Sequence, residues 1–177
     1  MSEATRALIV YESMYGNTEK IATAIRDGLR RTLPTETVPA YQAPAELPGD
    51  VRLVVVGGPT HAFSMSRAST RRDAQNQHEV VMPIEAGIRD WLETLADGKH
   101  VDAATFDTRI TKVRRLPGSA AKSAAKVLRH HGFRMLTAPA SFYVDETTGP
   151  IGADEVERAR RWGEELGRMV SGSAVAS

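Results

Sequence analysis

The sequence of 177 residues contains no cysteine. That absence removes disulfide staples, thiolate nucleophiles, iron–sulfur ligation and cysteine zinc sites together. Any redox chemistry must then come from an organic cofactor. Long hydrophobic runs are missing too: no stretch approaches the ~18 apolar residues of a membrane helix. Charge of one sign is not in excess, with 23 basic and 22 acidic residues and a net charge of +1, so bulk charge argues neither for nor against nucleic acid. Met1-Ser2-Glu3-Ala4-Thr5-Arg6 carries an acid, and Ala7–Tyr11 is too short for the apolar core of a signal peptide. The expected location is therefore the cytoplasm. No internal repeat and no metal-ligand spacing is present: His130 and His131 are adjacent and face different directions on a helix.

What is present is an ordinary globular composition, 41% hydrophobic and 25% charged. The length suits one domain over residues 1–177, with an ordered core of about 5–170 and a small, polar tail at 171–177. Such a chain can bury a core without staples.

Strand-type and helix-type segments alternate. Ala7–Tyr11 is an apolar strand. Asn17–Thr32 has Ile21, Ala22, Ile25 and Leu29 at helical spacing. Thr35–Ala40 reads as a weak, polar strand near an edge. Leu53–Val56 is the β-branched run of a strand buried on both faces. Ile84–Leu95 is helical, with Ile84, Ile88, Trp91, Leu92 and Leu95 on one face. Val101–Phe106 is a short strand, and Ser119–His131 an alanine-rich helix capped by Ser119. Arg134–Val144 is strand-like, and Ala153–Val170 is a helix with Val156, Ala159, Gly163, Leu166 and Val170 as its inner stripe. This alternation predicts an α/β layer fold on a mainly parallel sheet of five strands. Pro139 requires that the fifth strand be an edge or bulged.

After the first strand the chain reads Ser13-Met14-Tyr15-Gly16-Asn17-Thr18 and enters a helix. A phosphate placed there meets the positive end of the helix and bare backbone N–H groups. Gly16 allows close approach, while Ser13, Asn17 and Thr18 offer neutral donors. The loop lacks the Gly-Lys-Ser/Thr of a nucleoside triphosphate site and the Gly-x-Gly-x-x-Gly of a dinucleotide site. The plain alternative is a βα turn with Asn17 or Thr18 as helix cap.

The run Ile9-Val10-Tyr11-Glu12-Ser13-Met14-Tyr15-Gly16-Asn17-Thr18 resembles the phosphate signature of the flavodoxin family, which binds flavin mononucleotide (FMN). Tyrosine before the glycine is similar to flavodoxin-like quinone oxidoreductases. Val54-Val55-Val56-Gly57-Gly58-Pro59-Thr60-His61 resembles the third strand and first flavin-ring loop of that family. The order of elements matches over roughly residues 5–170.

The resemblance implies a flavodoxin-like doubly wound three-layer sandwich with strand order 2-1-3-4-5, which puts the strand of Pro139 at an edge. It implies FMN as cofactor and electron transfer as activity. Ser13, Met14, Tyr15, Gly16, Asn17 and Thr18 would hold the phosphate. Pro59, Thr60, His61 and Phe63 would border the ring, with backbone groups of Gly57 and Gly58 beside it. Phe106, Asp107, Thr108 and Arg109 form the third loop, with Phe106 or Arg109 against the flavin. No catalytic residue and no metal is assigned.

Two features depart from the family's electron carriers: the third loop has no tyrosine, and the chain is near neutral rather than strongly acidic. The candidate partners are a redox protein, or NAD(P)H with a small electron acceptor. The alternative activities are an FMN-dependent NAD(P)H:quinone-type oxidoreductase and a cofactor-free binding module; a deazaflavin shares the same phosphate end. A phosphoacceptor receiver does not fit, because strand three ends in Gly57-Gly58-Pro59 and no lysine follows Val144. Ser64–Gln77 reads as a long polar insertion without secondary structure, a solvated loop in which Arg67, Arg71 and Arg72 are candidates for an NADPH phosphate or an acidic partner.

Overall fold

A computed structural model of the protein describes residues 4–61, 64–77, 87–146 and 148–175. Five β-layer positions form one sheet. Strand β1 (Arg6–Tyr11) pairs in parallel with β2 (Thr35–Pro39) on one side and β3 (Val51–His61) on the other. Strand β3 pairs in parallel with β5 (Asp102–Ile110), and β5 carries the edge. That edge is one strand in two pieces, β6 (Arg134–Met135) and β7 (Ala140–Val144), both parallel to β5. Pro139 lies in the gap. Proline has no N–H to give a ladder, so the strand leaves β5 at Thr137–Pro139 and rejoins it at Ala140. Counting the pieces as one, the order is 2-1-3-4-5, the flavodoxin-like doubly wound arrangement.

The strands are legible because both faces of the sheet are covered. In β3, Leu53 and Val55 enter one core, while Val54 and Val56 enter the other, all fully buried. Strand β1 divides the same way: Ala7, Ile9 and Tyr11 against Leu8 and Val10. This is the period of two in a strand between two apolar layers.

Helix α1 (Asn17–Leu29) and helix α5 (Ala153–Val175) cover the first face. They meet backbone to backbone. A Cβ on Gly28 would stand 2.0 Å from the Arg160 carbonyl oxygen, and one on Gly163 2.2 Å from that of Ile25. Helices α3 (Ile88–Thr94) and α4 (Ala120–His130) cover the second face through Ile88, Trp91, Leu92, Ala120, Ala124 and Leu128. Ser119 caps α4 as its position suggested, accepting from the Lys122 N–H at 3.2 Å.

Two segments differ from the sequence expectation, and part of a third lies outside the described residues. Helix α5 runs on to Val175, because Ser171–Val175 continue the last turn instead of forming a tail. Residues Ile84–Ala86 of the expected helix at 84–95 lie outside the described residues, and the described part begins at Ile88. The segment Ser64–Gln77 is not a structureless loop. It forms a short strand β4 (Ser64–Met65), antiparallel to Thr60–His61, and helix α2 (Ala68–Gln77). Its polarity hid the helix: the positions α2 buries are Arg71 and Ala74, and a buried arginine leaves no apolar stripe to read.

Candidate functional site

The carboxyl ends of β1, β3 and β5 open on a cleft of about 120 Å³. Its position is the crevice where strand order reverses. Ser13, Met14, Tyr15, Asn17 and Thr18 form one wall. Pro59 and Thr60 come from β3, and Thr108, Arg109 and Ile110 from β5. No acid is among these residues, and Arg109 is the one charged side chain.

The first wall is a turn that opens onto the uncapped N-terminus of α1. Gly16 is the residue before α1, in the left-handed region at φ 92°, with no side-chain cap on the helix. Glycine takes that conformation without strain. The first N–H groups of any helix have no partner within it, and here no side chain replaces one. The Ser13 hydroxyl oxygen accepts from the Gly16 N–H at 3.1 Å, which leaves its hydrogen to donate elsewhere. A Cβ on Gly16 would meet nothing within 4 Å, so the turn is open above the glycine.

The other two polar side chains of the turn have protein partners. The Thr18 hydroxyl lies 2.8 Å from the Thr108 hydroxyl and ties α1 to β5. The Asn17 amide rests against Gly149, where an added Cβ would stand 2.5 Å from its Oδ1. Burial pushes the Tyr15 hydroxyl pKa above its usual value.

Two buried polar networks flank the cleft. In one, Asp107 Oδ2 accepts from the Thr60 hydroxyl at 2.9 Å, from the Ser119 hydroxyl, and from the Ala121 N–H at 3.2 Å. The Ala120 N–H donates to the Thr60 oxygen at 3.0 Å, so the end of β3 is bolted to the start of α4. Asp107 Oδ1 is buried and has no partner among the described residues.

In the other network, Glu12 directly precedes the turn and is buried. Its carboxylate accepts from the Ser66 hydroxyl and from the Ile88 N–H at 2.9 Å. Arg71 donates to the Ser66 hydroxyl at 2.7 Å, to Asp90 at 2.7 Å, and lies 3.9 Å from Glu12. Burial raises the Glu12 pKa; the bonds from Ser66 and Ile88 and the Arg71 charge oppose that rise.

The sequence-derived site residues thus divide. Ser13, Met14, Tyr15, Asn17, Thr18, Pro59, Thr60, Thr108 and Arg109 line the cleft, and Gly16 forms its turn. Phe106 does not. It is fully buried beneath Gly57, with Phe142 and Trp162 as edge-on neighbours at 6.3 Å. The reason is strand length: β5 runs to Ile110, which leaves Phe106 mid-strand instead of in a loop. Asp107 is also fully buried and reaches the cleft only through Thr60. Phe63 lies outside the described residues; His61 ends β3, and its side chain is not described.

Among the three arginines of 64–77, Arg71 is an internal ion-pair partner, while Arg67 and Arg72 are exposed. Sequence reasoning missed Glu12, Ser66 and Asp90, whose pairing spans up to 78 residues of chain (90 − 12) and has no local signal.

Comparison with known proteins agrees with this geometry. The flavodoxin family model matches residues 9–80, from β1 through the turn to α2. Residues 9–80 are similar in sequence to flavodoxins, and the whole chain shares the flavodoxin fold. An archaeal flavodoxin superposes with TM-score 0.64 at 16% identity, covering 94% of this chain and 99% of that one. The Streptococcus pneumonia TIGR4 flavodoxin does so with TM-score 0.64 at 18% identity, over 93% and 99%. Flavodoxin 2 from Bacillus cereus gives 0.62 at 18%, over 96% and 99%. No curated protein matches the sequence. Flavodoxin family members bind FMN. No helix among the described residues is long and apolar enough to cross a membrane.

Proposed function

We propose that this flavodoxin-like chain, acting as one domain, binds FMN by its phosphate in the turn Ser13–Thr18 and serves in electron transfer. The observation that carries the reading is the uncapped N-terminus of α1, opened by a left-handed glycine onto a cleft with no acid among its described lining residues. A dianion there gains from the positive helix end and from backbone N–H groups, without the desolvation a buried lysine would require. Pro59 and Thr60 line the same cleft, which supports a ring seated beside them, and Asp107 holds Thr60 in place through its hydroxyl. When bound, FMN supplies the capacity to accept and release electrons singly or in pairs. The protein's share is to fix the phosphate, present an edge of the ring and set the charge around it.

The test is a visible absorption spectrum of the purified protein, with mass spectrometry of the released ligand. A flavin spectrum and the mass of FMN are expected. A colourless protein that takes up no FMN would favour the cofactor-free module, and a deazaflavin mass would correct the cofactor. A valine at Gly16 would be forced into the left-handed region at a cost of about 1–3 kcal/mol and would stand over the turn, so Gly16→Val is expected to weaken FMN binding about tenfold or more. A second reading, an FMN-dependent oxidoreductase fed by NAD(P)H, is favoured by the Arg109 side chain in the cleft, which has no carboxylate partner among the described residues.

A further inference from the structure

Positive charge is gathered in one block of the chain. Residues 108–144 hold eight lysines and arginines and no acid, while the rest of the chain holds 15 basic and 22 acidic residues. The block starts at the cleft. Ile110 lines it, and the Ala120 N–H donates to Thr60, which lines it too, so the segment between them runs along the rim. Arg109 pins that segment by donating to the Leu116 carbonyl at 3.1 Å. Lys112 to Gly118 are exposed in an unbroken run. The described residues expose four large apolar side chains, and two of them, Val113 at 40% and Leu116 at 45%, stand in this run beside the cations. From the rim the charge continues along α4, where Lys122, Lys126 and Arg129 are exposed at helical spacing on the side turned away from the sheet. None of Lys112, Arg114, Arg115, Lys122, Lys126 and Arg129 forms an ion pair among the described residues. Arg114 shares a groove with Asp145, Asp154 and Glu155, so the argument rests on the other five.

This arrangement destabilises the chain on its own. Lys122 stands in the first turn of α4, where the helix end is itself positive, and like charges four residues apart on one helix repel. An acidic surface laid on the stripe relieves both effects. Exposed apolar side chains ringed by charge suit a protein partner, with the charge guiding encounter and register. No Phe, Tyr or Trp lies between Arg109 and Gly132, so the stripe has no aromatic ring on which a nucleic-acid base could stack. We propose that the rim Lys112–Leu116 and the outer side of α4 form a docking surface for an acidic redox protein, held beside the mouth of the cleft. The sign is the reverse of the strongly acidic electron carriers of the family. Electron-transfer encounters bury little area and lean on such steering. The redox role of the partner rests on the FMN reading above, whereas the surface itself stands on charge and exposure.

The test is calorimetric titration of the purified protein, with and without FMN, against two probes of opposite charge: an acidic two-iron ferredoxin and a basic cytochrome c. The ferredoxin is expected to bind at least about tenfold tighter than the cytochrome at low salt, and to lose most of that advantage as salt rises. Arg115→Glu should weaken ferredoxin binding about tenfold. Leu116→Ser should weaken it about fivefold and leave its salt dependence unchanged. Arg168→Glu makes the same change of net charge on the exposed side of α5, across the sheet from α4, and should leave binding unmoved. Tighter binding of the cytochrome overturns the proposal, as do equal losses from Arg115→Glu and Arg168→Glu. Single-stranded DNA bound more tightly than ferredoxin, with the same loss in Arg115→Glu, overturns the assignment to a protein partner. A protein that takes up no FMN yet binds ferredoxin through Arg115 keeps the surface and overturns the FMN reading. An FMN-loaded protein that binds no ferredoxin does the reverse.

Discussion

The two faces of the sheet are built on different principles. On one face α1 and α5 approach so closely that Gly28 and Gly163 touch opposing backbone, and the layer beneath is apolar except for the Thr18–Thr108 tie at its cleft end. On the other face buried polar ties run inward: Glu12–Ser66–Arg71–Asp90 and Thr60–Asp107–Ser119. Both ties end at residues that begin or border the cleft. Small residues and apolar contacts hold one side together at low specificity cost. Buried polar groups on the other side fix where particular loops stand, because a partly satisfied network is costly.

The largest effect should come from the apolar face. Phe106→Ala removes a fully buried ring beneath Gly57 and should lose about 3–5 kcal/mol in urea unfolding. Next comes the polar face. Arg71→Met leaves Glu12 and Asp90 without their cation and should cost about 3 kcal/mol, since breaking a buried pair is worse than lacking one. Adding Glu12→Gln to that variant should recover part of the loss, a coupling of about 0.5–3 kcal/mol by double-mutant cycle. Equal and additive losses would mean that the tie is not a unit.

A smaller effect is the pH dependence of the same tie. Burial holds the Glu12 pKa above its ordinary 4.5 in the folded protein. Its contribution is then fully present below that ordinary value and is lost as pH rises through the raised one. Glu12→Gln should flatten this decline in a series of melts from acid to neutral pH, and an unchanged slope would show that the carboxylate titrates normally. Smallest of all is the outer surface of α5. Arg160 holds the half-exposed Glu157 carboxyl down to about 2, yet Glu157→Gln should leave the unfolding midpoint unmoved in ordinary salt.

How far these differences were legible in the sequence follows the same division. Leu53–Val56 and the stripe Ala159, Gly163, Leu166 and Val170 announced their elements, because apolar periodicity records which face is covered. The turn Ser13–Thr18 was legible because local backbone chemistry needs glycine and hydroxyls in one short run. Helix α2 was not, since it docks through Arg71 instead of an apolar stripe. Phe106 and Asp107 were read as a loop because the reach of β5 to Ile110 depends on pairing with β7, a strand some 30 residues later. Glu12 carried no local sign of its partners at Ser66 and Ile88.

The central claim is that the first turn of α1 recognises a phosphate ester. Affinities of the purified protein, freed of any ligand, for FMN and for riboflavin test it directly by quenching of flavin fluorescence. The two ligands share the ring and differ in the phosphate, so charge-assisted bonds of about 1.5–3 kcal/mol each predict FMN binding at least about a hundredfold tighter when two such bonds form. Equal affinity for both would contradict the account.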